Sequence, residues 1–129
     1  SNCKHLRPHL RNLSDDEIRC IASTGGVIGL NFHAPFVGDR SNPATVSRVA
    51  DHAVHMAKVG GFGVVALGSD FDGYIRKPVG LEDASKVPAL WAELKLRGWT
   101  DAQIRGAKGE NFMRAWERVR SASETIQDR

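Results

Sequence analysis

The chain has 129 residues, 41% of them apolar and 26% charged, with a formal net charge of +3. That composition suits one modest globular domain with a buried core and excludes both disorder and a disulfide scaffold. Its Lys and Arg are scattered among acids from Lys4 to Arg129, so no basic stripe is present to track phosphates, and nucleic acid is not an expected partner.

Nor does any apolar run reach the roughly 18 residues of a membrane span. Cys3 and Cys20 lack metal-finger spacing and read as free thiols that do not fix a compartment. The chain opens on Ser1 instead of Met, which reads as a processed or excised segment whose targeting signals would lie upstream.

The first element announces itself at Ser14-Asp15-Asp16-Glu17, a Ser-x-x-Glu capping box that opens a helix. Ile18, Ile21 and Ala22 then share one face, and Gly25-Gly26 ends it. Val27 to Phe32 is a short apolar run rich in β-branched residues and predicts a buried strand. A polar loop from Val37 to Pro43 leads into the most periodic helix, with Val46, Val49, Ala50, Ala53, Val54 and Ala57 on its apolar face. This periodicity puts His52 and His55 on the polar side, facing solvent. Gly63 to Gly68 predicts a second buried strand running into Ser69-Asp70-Phe71-Asp72-Gly73. Downstream come a helix from Pro88 to about Arg97, a second capping box at Thr100 to Gln103, and a last helix with Phe112, Ala115, Trp116 and Val119 on one face. Residues 121–129 are a polar tail expected to fray; residues 1–120 form the domain.

Helices alternating with short apolar strands predict an α/β fold with a parallel sheet, either doubly wound or a barrel. Two or three strands leave apolar faces open, so missing barrel segments or self-association, for instance as a homodimer, must cover them.

In such folds the reactive groups gather where strands end. Asp70 stands there, leaving a low-dielectric wall, and suits general acid/base work; its other reading is a cap on the turn before Gly73. His33 ends the first strand as a pocket residue or an ordinary turn residue. Arg11, ahead of the first capping box, offers a planar fork for a carboxylate unless it is merely a solvated loop residue. His5 and His9 read as a chance pair in a Pro8 loop. An EF-hand reading of Asp70-x-Asp72-Gly73 fails, because Leu81 stands where the twelfth-position glutamate belongs. Gly25-Gly26-x-x-Gly29 fails as a dinucleotide fingerprint, because it precedes a strand instead of following one.

Taken in order, His9-Leu10-Arg11-Asn12-Leu13-Ser14-Asp15-Asp16, then Gly26 to Phe32, then Gly68-Ser69-Asp70-Phe71-Asp72-Gly73 with Gly80-Leu81-Glu82-Asp83, resemble the membrane (renal) dipeptidase family. The tail through Gly98-Trp99 and Asn111-Phe112 is similar too, so the likeness runs from Ser1 to about Val119. The resemblance implies the C-terminal portion of a (β/α)₈ TIM-type barrel, incomplete in this chain. It further implies hydrolysis of dipeptides, including those with a D-residue second, at a binuclear zinc site. The zinc ligands it implies lie upstream, the last of them immediately before Ser1, and none falls in this chain. It assigns Asp70 to proton transfer to the leaving amine and Arg11 to the substrate carboxylate, with His33 replacing a frequent pocket tyrosine. Glu110 stands where glycine is common. Two alternatives stay open: an inactive relative serving as an interaction subunit, or a different barrel enzyme using Asp70.

Overall fold

In the computed structural model, which describes residues 1–127, the first helix starts where its caps dictate. Helix α1 spans Asp15–Ser23; the Ser14 hydroxyl accepts from Glu17 N, and the Glu17 carboxylate accepts from Ser14 N at 2.7 Å. This reciprocal pair satisfies two otherwise unpaired amides, and Asp15, Asp16 and Glu17 complement the positive helix end. These bonds also hold the Glu17 carboxyl below its ordinary pKa.

Strands β1 (Ile28–Asn31) and β2 (Val65–Ser69) pair in parallel, with Ile28 opposite Val65 and Leu30 opposite Leu67. The crossover between them carries a single turn, α2 (Ala34–Val37), and the long α3 (Val46–Gly60), which is capped by Thr45. The sequence did not signal α2; Pro35 in its first turn presets the helical φ. Burial alternates along β1, with Ile28 and Leu30 inside and Gly29 and Asn31 half-exposed. Ile28, Leu30 and Phe32 join Val49, Ala53 and Met56 in one core, which leaves the other sheet face open among the described residues.

The apolar face of α3 is rotated from the expected one. Val49, His52, Ala53 and Met56 are fully buried, whereas Val54 is only half-buried. His52 therefore sits in the core and not in solvent. A buried imidazole is tolerated because both its nitrogens are paired: Nδ1 accepts from Cys3 N and Nε2 donates to Val37 O, each at 3.0 Å. His55 is half-buried, bonded to Asp15 at 2.7 Å and stacked on His5 at 4.8 Å, so these histidines tie the N-terminal segment and α1 to α3. Cys3 lies in the core beside His52, and burial pushes its thiol up to about 12; Cys20 is exposed.

A tight turn at Phe62–Val64 takes up the start of the expected second strand. Beyond β2 come α4 (Val87–Leu96) and α5 (Asp101–Arg105), the latter opened by the Thr100 and Gln103 capping box. The last expected helix is broken first by a widened π turn at Gly106–Glu110, where Gly109 leaves helical geometry. Asn111, which opens α6 (Asn111–Gln127), donates to Phe62 O and Val65 O at 2.9 Å each and so pins the entry to β2. α6 runs on as helix through Ser121, where fraying was expected; positions 128 and 129 of that tail lie outside the described residues. Phe112, Trp116 and Val119 form its expected apolar face, but all three are exposed, at 51%, 58% and 70%. No helix among the described residues is long and apolar enough to cross a membrane.

Candidate functional site

Because β1 and β2 run parallel, both deliver their carboxyl ends to the same rim. Asn31 and His33 emerge from β1, and Asp70 emerges from β2. A bulge adjusts the second strand: Leu30 faces Leu67 but Asn31 faces Ser69, leaving Gly68 unpaired. Only glycine fits there, since a Cβ would lie 2.8 Å from the Gly29 carbonyl carbon. An extra residue of this kind bends a strand and re-aims the side chains after it.

The re-aimed residue is Asp70. Ser69 and Asp70 both take left-handed backbone conformations, with φ of 34° and 75°. Such conformations are uncommon outside glycine and cost of order 1–3 kcal/mol each. Surrounding contacts over-determine them. Phe32 N donates to Ser69 O at 3.0 Å, and Phe71 packs edge-on against Phe32 at 5.4 Å. Gly73 N donates to Asp70 O at 3.1 Å, closing the turn. A Cβ at Gly73 would collide with the Asp70 carboxylate, so this glycine makes room for it. The exposed carboxylate then accepts a hydrogen bond from Asn31 Nδ2 at 3.1 Å.

Arg11 reaches the same rim from the loop ahead of α1. Its backbone N donates to His9 Nδ1 at 3.1 Å, and its guanidinium carbon lies 5.7 Å from the centre of the Phe36 ring. His33 meets that ring edge-on, with centroids 4.8 Å apart, and His9 tilts against it at 4.7 Å. Phe36 is thus a platform that fixes Arg11 and both imidazoles relative to one another. His33 Nδ1 accepts from Arg76 N at 3.3 Å, which leaves the proton of the neutral ring on Nε2. Burial lowers the His33 pKa; Arg76 and His9 push the same way, and Asp70 opposes them.

Arg11 and Asp70 also share a neighbour. Ser1 N donates to Gly29 O at 2.9 Å and lies within electrostatic reach of both the Arg11 guanidinium and the Asp70 carboxylate. Arg11, His33 and Asp70 therefore stand on one side of the molecule, linked through Phe36, Asn31 and the Ser1 backbone.

The sequence matches the membrane dipeptidase family, peptidase family M19, over residues 1–129. The chain belongs to that family. Its fold is similar to that of the metallopeptidase dipeptidase AC of family M19, with a TM-score of 0.83 and 31% identity over 92% of this chain. It is equally similar to a metallopeptidase from Rhodobacter sphaeroides solved with a phosphinate mimic of the dipeptide L-Ala-D-Ala, with a TM-score of 0.84, 31% identity and 92% coverage. The probable dipeptidase PvdM from Pseudomonas aeruginosa, 23% identical with a TM-score of 0.81, shares the fold over 90% of this chain and 42% of its own. The chain spans about a third of the length of the first two structures, 36% and 34% respectively.

Membership of a metallopeptidase family implies a metal. Among the described residues, however, no group of three or more His, Cys, Asp or Glu converges well enough to hold one. His52 has both nitrogens committed to backbone groups, and His55 is bonded to Asp15. The described residues do not fit the family's metal by themselves.

Three asparagines at this rim escaped the sequence reading. Asn2 and Asn12 are 0% and 2% exposed, and Asn31 lies inside the run expected to be an apolar strand. Only Asn31, between Leu30 and Phe32, stands out as a polar residue in an apolar run; Asn2 and Asn12 have polar sequence neighbours, and only the fold buries their amides and requires them to be hydrogen-bonded.

Proposed function

We propose that this chain is the C-terminal portion of a (β/α)₈ metallodipeptidase, supplying the substrate-carboxylate and proton-transfer groups of an active site completed by the rest of the barrel. Two features support a larger barrel: the uncovered face of the β1 and β2 pair, and the exposed Phe112, Trp116 and Val119 of α6. The observation that carries the reading is the convergence of Arg11, His33 and Asp70 on one rim of a chain that matches a dipeptidase family throughout.

The division of labour follows from side-chain chemistry. The Arg11 guanidinium presents a planar pair of donors to the terminal carboxylate of a dipeptide, and the Phe36 platform limits where that fork can point. Asp70, held at a strand end with one oxygen bonded to Asn31, exchanges a proton with the departing amine. His33, largely neutral at pH 7 because burial lowers its pKa, lines the pocket and offers Nε2–H to the substrate without adding a second cation beside Arg11. The family's two zinc ions would be held by ligands outside the described residues. Dipeptides are the expected substrates, with a D-residue tolerated in second place, in keeping with the L-Ala-D-Ala mimic bound by the Rhodobacter relative.

The test is Asp70→Asn in the full-length protein, assayed against a panel of dipeptides. Turnover should fall by about 10²-fold or more, as for a lost general acid/base, with metal content unchanged. Loss of metal would move Asp70 into the ligand set. Undiminished turnover would remove it from the chemistry.

A further inference from the structure

Asn31 makes four hydrogen bonds that point in two directions. Its backbone is gripped by the fully buried Asn2: Asn31 N donates to Asn2 Oδ1 at 3.0 Å, and Asn2 Nδ2 donates to Asn31 O at 2.9 Å. One side-chain amide thus does for Asn31 what a neighbouring strand would do. Asn2 is itself fixed, because its N donates to Asn12 Oδ1 at 3.1 Å and its O accepts from Leu13 N at 2.8 Å. Asn12, next to Arg11 in sequence, donates through Nδ2 to Arg7 O and Phe36 O at 3.0 and 2.8 Å.

With its backbone immobilised, the Asn31 side chain is left to face outward. Oδ1 accepts from His33 N at 2.7 Å, and Nδ2 donates to Asp70 Oδ2 at 3.1 Å. The two assignments support each other: turning the amide over would set its oxygen against a carboxylate and its NH₂ against an amide N–H. A turn-forming asparagine needs only the Oδ1 bond. The bond to Asp70 reaches across 39 residues of sequence, and it is the only side-chain hydrogen bond to that carboxylate among the described residues.

We propose that Asn31 is a positioning residue for Asp70, fixing the carboxylate's rotamer through Nδ2 while Oδ1 holds the His33 backbone. The inference rests on the reading of Asp70 as the proton-transfer group. Asparagine suits the role because it is short and carries one acceptor and one donor; aspartate lacks the donor and leucine lacks both. Through Asn2 and Asn12 the same run of amides reaches the Arg11 loop and Phe36, so the substrate-carboxylate end and the proton-transfer end of the site share one support. Holding a reacting group to within about 0.5 Å is what such a shell contributes, and misplacement by about 1 Å can cost 10²-fold in rate.

The experiment uses the full-length, metal-loaded enzyme, with Asn31→Asp and Asn31→Ala each made in the native and the Asp70→Asn backgrounds. Asn31→Asp keeps the size and the acceptor for His33 N but replaces the donor with a second carboxylate against Asp70, whereas Asn31→Ala removes the donor without adding charge. In the native background we expect kcat to fall by about 10- to 10²-fold, with KM within about 2-fold and metal content unchanged. In the Asp70→Asn background either change should lower kcat by less than about 2-fold, since the group being positioned is already gone. Equal losses in both backgrounds overturn the proposal, as does an unchanged kcat in Asn31→Asp. Loss of folding or of metal in both Asn31 variants also overturns it, in favour of a purely structural residue. An Asp70→Asn enzyme of native turnover is a different result: it removes the proton-transfer reading on which the inference rests.

Discussion

The buried His52 makes a prediction whose size can be worked from the structure. Burial drops its pKa from 6.5 to about 4; Arg48 and His55 add to the fall, while the Val37 carbonyl and Asp51 oppose it. Between those two values an unfolded chain binds a proton that the native chain refuses. Stability from this group is therefore complete above about pH 6.5 and is lost as pH falls toward 4, where the native ring finally protonates. The full loss is on the order of 3 kcal/mol, of which about 2 kcal/mol falls between pH 7 and pH 5. His52→Leu abolishes this dependence but strands Cys3 N and Val37 O in the core. Each orphaned group costs about 1–3 kcal/mol, so the variant should be weaker by about 4 kcal/mol at pH 7. At pH 5 the deficit should shrink to about 2 kcal/mol, because only the native protein pays the histidine term. Comparing the two proteins cancels the acid sensitivity of Asp15, Asp39 and Asp51, whose carboxyls are also held below their ordinary values. Guanidinium denaturation of the full-length protein, followed by fluorescence of its Trp residues at both pH values, measures the four stabilities needed. A deficit that does not change with pH would refute the assignment of His52 as a neutral, doubly bonded core residue.

Three further substitutions test other parts of the structure. Arg11→Lys replaces a planar fork with a point charge and should raise KM for dipeptides by about 10-fold or more while leaving kcat nearly unchanged, as steady-state kinetics would show; an unchanged KM would count against Arg11 as the carboxylate ligand. Gly68→Ala forces a Cβ to 2.8 Å from the Gly29 backbone, so a cost of about 1–3 kcal/mol should appear as a lower melting temperature, together with reduced turnover because Asp70 lies just beyond the bulge. Ser14→Ala removes the N-cap of α1 and should destabilise by about 1 kcal/mol in denaturant titration without changing kcat.

Local interactions made much of this fold legible. The Ser14 and Thr100 capping boxes, the two strand segments and the helix between them follow from patterns within a few residues, which is why each is found close to where the pattern put it. His33 and Asp70 could be singled out because titratable side chains beside apolar strand ends are conspicuous, whereas Arg11, in the loop ahead of α1, was marked out by the resemblance to the family. The resemblance to the dipeptidase family rests on equally local strings and is matched by the family assignment across the chain.

Long-range pairing decided the rest. His52 reads as polar on a helical wheel, yet it lies in the core because Cys3 N, 49 residues away, and Val37 O satisfy its ring. The π turn before α6 and the shortened β2 meet at Asn111, whose amide binds carbonyls 49 and 46 residues distant. The Asn31 to Asp70 bond spans 39 residues and depends on a bulge at Gly68 that no periodicity reveals. A sequence states which groups are polar and which apolar by position; which buried polar group finds its partner is settled only when the chain closes on itself, because an unpaired one costs too much to bury.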